Sequence, residues 1–200
     1  MNTEDEILRD FCNGSEFAFT TLYNKYVNTL LPYGISLGFN REILKDAIQD
    51  VFIKLYSNRQ QLKEVKNFKF YLFRSFKNRL LDIQKGTVDT NELDPHEMRF
   101  SIKTTVLDDL IEEEDRTLIQ NKINQLLGCL TNRQREAIFL RFIHEMDYEE
   151  VGKLLSMTPQ ASRKLVSRAI GRIREKNLMA YLAIFISAYS FINTEMLFPV

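Results

Sequence analysis

Few side chains in this 200-residue sequence are spaced for covalent chemistry. The two cysteines, Cys12 and Cys129, are far apart, and His96 and His144 each stand without a second ligand at metal-binding spacing. A disulfide framework and a zinc cluster are therefore not expected, which fits a reducing cytoplasm. His96 reads as a solvated loop residue and His144 as a helix-surface one. No nucleophile, base and orienting group converge, so no catalytic residue, cofactor or small-molecule substrate is expected. What the sequence offers instead is cation and ring chemistry suited to a polyanion. Residues 156–176, SMTPQASRKLVSRAIGRIREK, carry six bases against a single acid, Glu175, although the chain's 27 basic and 27 acidic side chains cancel.

That balance hides a segregation of sign. Residues 61–85 carry a net charge of +5, residues 86–115 a net −8, and residues 151–176 a net +6. Local sign governs contact with a polyanion. The acidic stretch mixes Gly86, Pro95, Asp and Asn without helical periodicity and reads as a linker. The predicted organisation is a domain over 1–85, an acidic linker over 86–115, a second domain over 116–176 and an apolar extension over 177–200. Strand signals are nearly absent, so the fold class is all-α, with two small helical domains. The N-terminus, MNTEDEILRD, has neither the basic start nor the apolar run of a secretory signal.

The second domain has the clearest helix punctuation. Leu118, Ile119, Ile123, Leu126, Leu127 and Leu130 recur at helical spacing. Thr131 with Gln134 forms a capping box that opens a helix over 132–146, and Asp147 with Glu150 repeats the device. After a break at Ser156-Met157-Thr158, Thr158 caps a further helix whose first residue is Pro159. Its predicted apolar stripe is Ala161, Leu165, Ala169, Ile170 and Ile173. A short helix, a tight turn and a helix with a basic outer face make a helix-turn-helix. Gln160, Arg163, Lys164, Ser167, Arg168 and Arg172 are its candidate DNA-contacting residues. A basic solvated face on a structural helix is the alternative.

In the first domain, KEVKNFKFYLFRSFKNRLLDIQK interleaves rings with cations. Leu72, Phe73, Phe76, Leu80 and Ile83 form the predicted buried stripe. Tyr71, Arg74 and Asn78 fall opposite, with Lys77 and the preceding Lys66 and Asn67 nearby. An exposed ring among cations suits single-stranded nucleic acid, where bases stack and phosphates meet positive charge. Just upstream, REILKDAIQDVFIKLY buries Leu44, Ala47, Ile48, Val51, Phe52 and Leu55. It turns Asp46, Gln49, Asp50 and Ile53 outward; an apolar residue among acids fits a protein partner, and a solvated face with one exposed isoleucine is the commoner alternative. Clustered acids can also hold metal, but nothing further converges here.

These segments, in this order, resemble the sigma-70 group of bacterial transcription factors, specifically the small two-domain extracytoplasmic-function type. NGSEFAFTTLYNKYVNTLLPYG is similar to the first helix of sigma domain 2, and KDAIQDVFIKLY to the helix that binds core polymerase. NFKFYLFRSFKNRLLDIQK is similar to the segment that opens and reads the −10 promoter element. LTNRQREAIFLRFIHEMDYEEVGKLLSMTPQASRKLVSRAIGRIREK resembles domain 4, which reads the −35 element.

The resemblance implies a transcription initiation factor that directs core RNA polymerase to promoters. Asp46, Gln49, Asp50 and Ile53 would meet the clamp helices of the largest polymerase subunit, and the flap of the second subunit would be a further contact. A membrane-linked anti-sigma partner is implied as well. A helix-turn-helix regulator acting on duplex DNA without polymerase is the alternative from another class. Tyr71 stands where tryptophan is usual. Gly152 replaces a usual alanine and Ser156 a usual turn glycine, from which a slightly loosened helix-turn-helix is expected.

The tail is outside this motif set. Residues 178–192 form fifteen almost wholly apolar positions. At about 1.5 Å each they fall short of a hydrocarbon core roughly 30 Å thick. A helix docked on one of the chain's own domains or on a regulator is expected, with membrane association through 178–200 as the alternative.

Overall fold

Thr3 starts the first helix by a reciprocal device. Its hydroxyl accepts from the Glu6 N–H, while the Glu6 carboxylate accepts from the Thr3 N–H at 2.8 Å. The computed structural model describes residues 3–87, Phe100 and residues 113–195, with side chains described except at 87, 113–120 and 188–195. The chain divides into two compact units, one of residues 1–35 and 39–95, the other of 36–38 and 96–200. Among the described residues every regular element is a helix, without strand.

In the first unit, α1 (Glu4–Cys12), α2 (Glu16–Ser36), α3 (Arg41–Ser57), a 3-10 turn (Arg59–Glu64) and α4 (Phe68–Thr87) enclose an aromatic-rich core. The Phe19 ring meets Phe52 at 6.0 Å and Tyr56 at 5.6 Å, and Tyr33 meets Phe73 at 5.2 Å. A Cβ added at Gly34 would lie 2.2 Å from Leu44 Cδ2 and 3.1 Å from Phe76 Cζ. α2 therefore presses on its neighbours more closely than an alanine would permit. All six predicted α3 core residues are buried. On α4, Leu72, Phe73, Phe76 and Leu80 are buried, while Ile83 is half-buried.

α1 is tied to α2 through Glu4, whose carboxylate accepts from Lys25 at 2.5 Å and from the Tyr26 hydroxyl. Burial alone would raise the Glu4 pKa, but these two donors outweigh it and hold the carboxyl below its ordinary value. The tether therefore contributes stability above the ordinary carboxylate range, and that contribution is lost as pH falls through the lowered value. Burial, then the hydrogen bond to Glu4, pushes the Tyr26 phenol upward, so it stays a donor. Burial likewise raises both thiols, Cys12 and Cys129, away from the reactive thiolate.

The second unit comprises α5 (Glu113–Gly128), α6 (Asn132–Ile138), a π-helical turn (Phe139–Ile143), α7 (Tyr148–Leu154), α8 (Pro159–Glu175) and α9 (Met179–Glu195). Both predicted capping boxes form, at Thr131 and at Asp147. The helix expected over 132–146 instead widens at Phe139. The extra residue in the π turn rotates the side chains beyond it. His144 is consequently buried, not on a helix surface, and its ring meets Phe139 edge-on at 4.9 Å. Phe100, from the segment expected to be pure linker, is also docked in this unit. Its ring lies 5.4 Å from Phe139, and its carbonyl accepts from Arg135 at 2.9 Å. The rest of the acidic segment, 88–99 and 101–112, lies outside the described residues.

α9 folds back on the same unit and packs on α5, the π turn and α8. Three residues, Lys176 to Leu178, link it to α8, with Asn177 at φ 55° and the Leu178 N–H bonded to the Ile173 carbonyl at 3.0 Å. Asparagine tolerates this left-handed conformation better than most residues. Leu178, Leu182 and Phe185 are buried, while Met179 and Ile184 face outward. Among the described residues no helix is long and apolar enough to cross a membrane. Residues 196–200 lie outside that description.

Leu182→Ala should lower the stability of this unit by about 2–5 kcal/mol through lost burial and a residual cavity. Ile184→Ala, on the uncovered face, should cost less than about 1 kcal/mol. Calorimetric unfolding of the two variants compares them, and equal losses would mean that α9 does not dock by this face.

Candidate nucleic-acid interfaces

The helix-turn-helix is built from α7, a short reversal and α8. Thr158 caps α8, its hydroxyl accepting from the Ala161 N–H at 3.2 Å, and Pro159 occupies the first turn. The stripe that α8 buries differs from the predicted one. Ser162, Val166, Ala169 and Ile173 are buried, whereas Ala161 is exposed and Leu165 and Ile170 are half-buried. The buried Ser162 hydroxyl rotates the register. It lies 2.5 Å from the Tyr148 carbonyl oxygen and 2.9 Å from that of Pro159, and donating there it joins the starts of the two helices. A polar residue inside a helix pattern gave no signal of this role.

The expected looseness of the turn is not found. A Cβ at Gly152 would lie 2.8 Å from the Met157 carbonyl oxygen and 3.3 Å from the Thr158 carbonyl carbon. The missing side chain is what lets the turn settle on α7, and the Met157 N–H then reaches the Gly152 carbonyl at 2.8 Å. Ser156 adopts φ 53°, the left-handed conformation for which glycine is suited. It carries a steric cost of roughly 1–2 kcal/mol. Two further arginines lock the motif. Arg133 donates to the Leu155 carbonyl at 2.6 Å, and Arg172 donates to Gln134 Oε1 at 2.9 Å.

Gln160, Arg163, Lys164, Ser167, Arg168 and Arg172 are all exposed on α8. The Arg163 guanidinium lies over the Tyr148 ring at 5.0 Å, and Arg141 approaches the same ring at 5.2 Å. Arg163 thus starts from a stacked, restricted geometry. Arg172 already commits one guanidinium nitrogen to Gln134, which ties α8 to α6.

In the first unit, α3 turns Asp46, Gln49 and Asp50 to solvent, with Ile53 54% exposed among them. On α4, Tyr71, Arg74 and Asn78 are exposed, as are Lys66 and Asn67 before it. Asn67 has a structural task too, because its side-chain oxygen accepts from the Phe70 N–H at 3.0 Å at the start of α4. Lys77 departs from expectation. It is 9% exposed and buried with the apolar side of α4, since the residue after Phe76 falls on the inner half of the helix. A groove of about 550 Å³ runs between α3 and α4, with Tyr71, Ser75 and Asn78 on one wall and Asp50 and Lys54 on the other. Arg79, also in its lining, was not singled out from sequence. Its place on the helical stripe through Tyr71, Ser75, Asn78 and Asp82 was the available signal. Among the described residues no three His, Cys, Asp or Glu side chains converge as a metal site.

Both units carry the resemblance. Residues 22–85 match the family described as sigma-70 region 2, and residues 120–173 match that described as sigma-70, region 4. The chain belongs to the sigma-70 family. The sigma-70 matches take in α3 and all but the end of α4 in one unit, and the helix-turn-helix up to Ile173 in the other. The chain is similar to the ECF RNA polymerase sigma factor SigM of Bacillus subtilis (20% identical; 76% of this chain and 91% of the relative). It is also similar to the ECF RNA polymerase sigma factor ShbA of Streptomyces griseus (25% identical; 68% and 73%). A third relative is a Clostridium perfringens protein named bacteriocin UviA (21% identical; 78% and 85%). This sigma-70 chain is of the extracytoplasmic-function type, a promoter-directing transcription initiation factor. The family's partners are core RNA polymerase and promoter DNA, and its members act without catalysing the reaction themselves.

If the turn depends on the bare Cα at residue 152, Gly152→Ala should force the backbone apart. The expected cost is about 1–3 kcal/mol, with weakened binding to duplex DNA. Ser156→Gly should relieve the left-handed strain and raise stability by about 0.5–1 kcal/mol without moving α8. Thermal unfolding and duplex-binding titrations on the two variants check both, and a stabilised Gly152→Ala protein would contradict the turn geometry.

Proposed function

We propose that the two units divide promoter engagement between them, with the α3 face holding the polymerase. Asp46, Gln49, Asp50 and Ile53 bind the clamp helices of the largest subunit, and the second unit meets the flap of the second. Tyr71, Arg74 and Asn78, with Lys66 and Asn67, hold the opened −10 strand. Gln160, Arg163, Lys164, Ser167 and Arg168 face the −35 duplex, and Arg172 adds a phosphate contact from the end of the same face. The polymerase supplies the chemistry, and this chain supplies address and strand opening. It works in the cytoplasm and is restrained by a membrane-linked anti-sigma partner.

The observation that carries this is Ile53, a branched apolar side chain more than half exposed within an acidic face. Water does not favour it there, and a protein groove does. The same unit presents the exposed Tyr71 ring, a stacking platform that a duplex-only regulator has no use for.

Asp46→Lys combined with Ile53→Asp should abolish co-purification with core polymerase and promoter-dependent run-off transcription while leaving helical circular dichroism unchanged. Retained association would mean that polymerase is held by another face and would overturn the α3 assignment. Tyr71→Ala should slow open-complex formation, at about 1–3 kcal/mol per stacked base, with closed-complex binding nearly intact. Alanine at Arg163, Lys164 or Arg168 should cost about 1–3 kcal/mol at one base pair, or weaken all sequences equally with a shallower salt slope. Permanganate footprinting and duplex titrations separate these outcomes.

A further inference from the structure

The groove between α3 and α4 is crossed by an ion pair. Arg79 donates to Asp50 Oδ2 from Nε at 2.9 Å and from Nη2 at 2.7 Å. Both hydrogen bonds fall on one carboxylate oxygen, and both side chains are nearly half exposed, at 43% and 48%. A pair this exposed contributes little to stability. It is therefore poorly suited as a brace and easily exchanged for another partner.

Its position gives it consequence. Asp50 belongs to the face proposed for polymerase, whereas Arg79 shares the groove-lining stripe of α4 with Tyr71, Ser75 and Asn78. The charged lining consists of Asp50, Asp82, Lys54 and Arg79, so as it stands the groove is electrically balanced. If Asp50 turns to a cationic partner on the polymerase, Lys54 and Arg79 face Asp82 alone. The groove is then positive beside an exposed ring. The Arg79 guanidinium, released from carboxylate, has the same fork to offer a phosphate.

We propose that Arg79 is a strand-binding residue held in reserve by Asp50. Engagement of Asp50 by polymerase transfers Arg79 to the backbone phosphate of the opened strand that stacks on Tyr71. This rests on the proposed assignment of the α3 and α4 faces. It adds a residue to the strand-binding set and a reason for the free chain to hold single strands weakly.

The test is a double-mutant cycle on the full-length free chain. Anisotropy is measured with a fluorescein-labelled single-stranded oligodeoxynucleotide of mixed sequence, across a salt series. Asp50→Asn keeps the shape of the side chain and removes its charge. It should raise affinity about fivefold and steepen the salt dependence by roughly 0.7, the increment for one added phosphate contact on a single strand. Asp46→Asn, the same charge change one turn earlier on α3, should leave both nearly unchanged. Arg79→Gln alone should have little effect, yet should erase the gain when combined with Asp50→Asn. Equal gains from Asp50→Asn and Asp46→Asn would show a general charge effect and overturn the proposal. So would a gain that survives Arg79→Gln. Core-polymerase association, measured separately on wild type, reports on the broader functional assignment, because the cycle itself contains no polymerase.

Discussion

The placement of α8 depends on one close approach, that of the turn backbone to Gly152. Without a side chain at that position, the Met157 carbonyl can sit where an alanine methyl would otherwise stand. The remaining interactions of the motif are ordered by that contact. Thr158 caps a helix whose start is already fixed, the Ser162 hydroxyl reaches the Tyr148 carbonyl, and the Tyr148 ring lies under Arg163. The motif accepts a left-handed serine in the same turn. The local cost is tolerable because several independent bonds determine the geometry together. A basic face can then be offered to solvent as a rigid surface, which reduces the ordering cost when it meets DNA.

The first unit obeys the same logic with different means. Gly34 lets α2 press on Leu44 and Phe76, and rings from α1, α2, α3 and α4 fill the remaining space. With the core so determined, the outward faces of α3 and α4 are free to carry residues that contribute little to folding. An exposed isoleucine, an exposed tyrosine and a half-exposed ion pair are neutral or unfavourable for a solitary domain. The tyrosine and the ion pair line one groove, and the isoleucine stands on the same helix as Asp50.

Much of this was legible in the residues. The capping devices at Thr131, Asp147 and Thr158 are short, local and chemically explicit, and each forms where it was expected. The α3 core stripe is a clean helical period and needed no tertiary information. The misses share a cause, which is that a side chain's orientation was set by something outside its own helix. The π turn at Phe139 redirected His144 inward. Ser162 was drawn inside by a carbonyl on another helix, and the first two turns of the α8 stripe moved by one position while Ala169 and Ile173 kept theirs. Lys77 went with the packed side of α4, and Phe100 found a core from within an acidic segment. Glycine at 152 suggested looseness by comparison with the usual alanine, whereas its effect depends on what lies opposite it.

α9 has a consequence for synthesis. α8 leaves the ribosome before Leu178, Leu182 and Phe185, buried side chains of the segment that packs on α5, the π turn and α8. Until they arrive, the basic helix exists on a domain whose apolar flank is open to chaperones, proteases and neighbouring nascent chains. The order of emergence therefore delays a finished DNA-binding domain until the segment beyond it has been made. A chain interrupted between the two helices would carry the basic face of α8 without the packing that protects its domain, and would be a natural target for clearance.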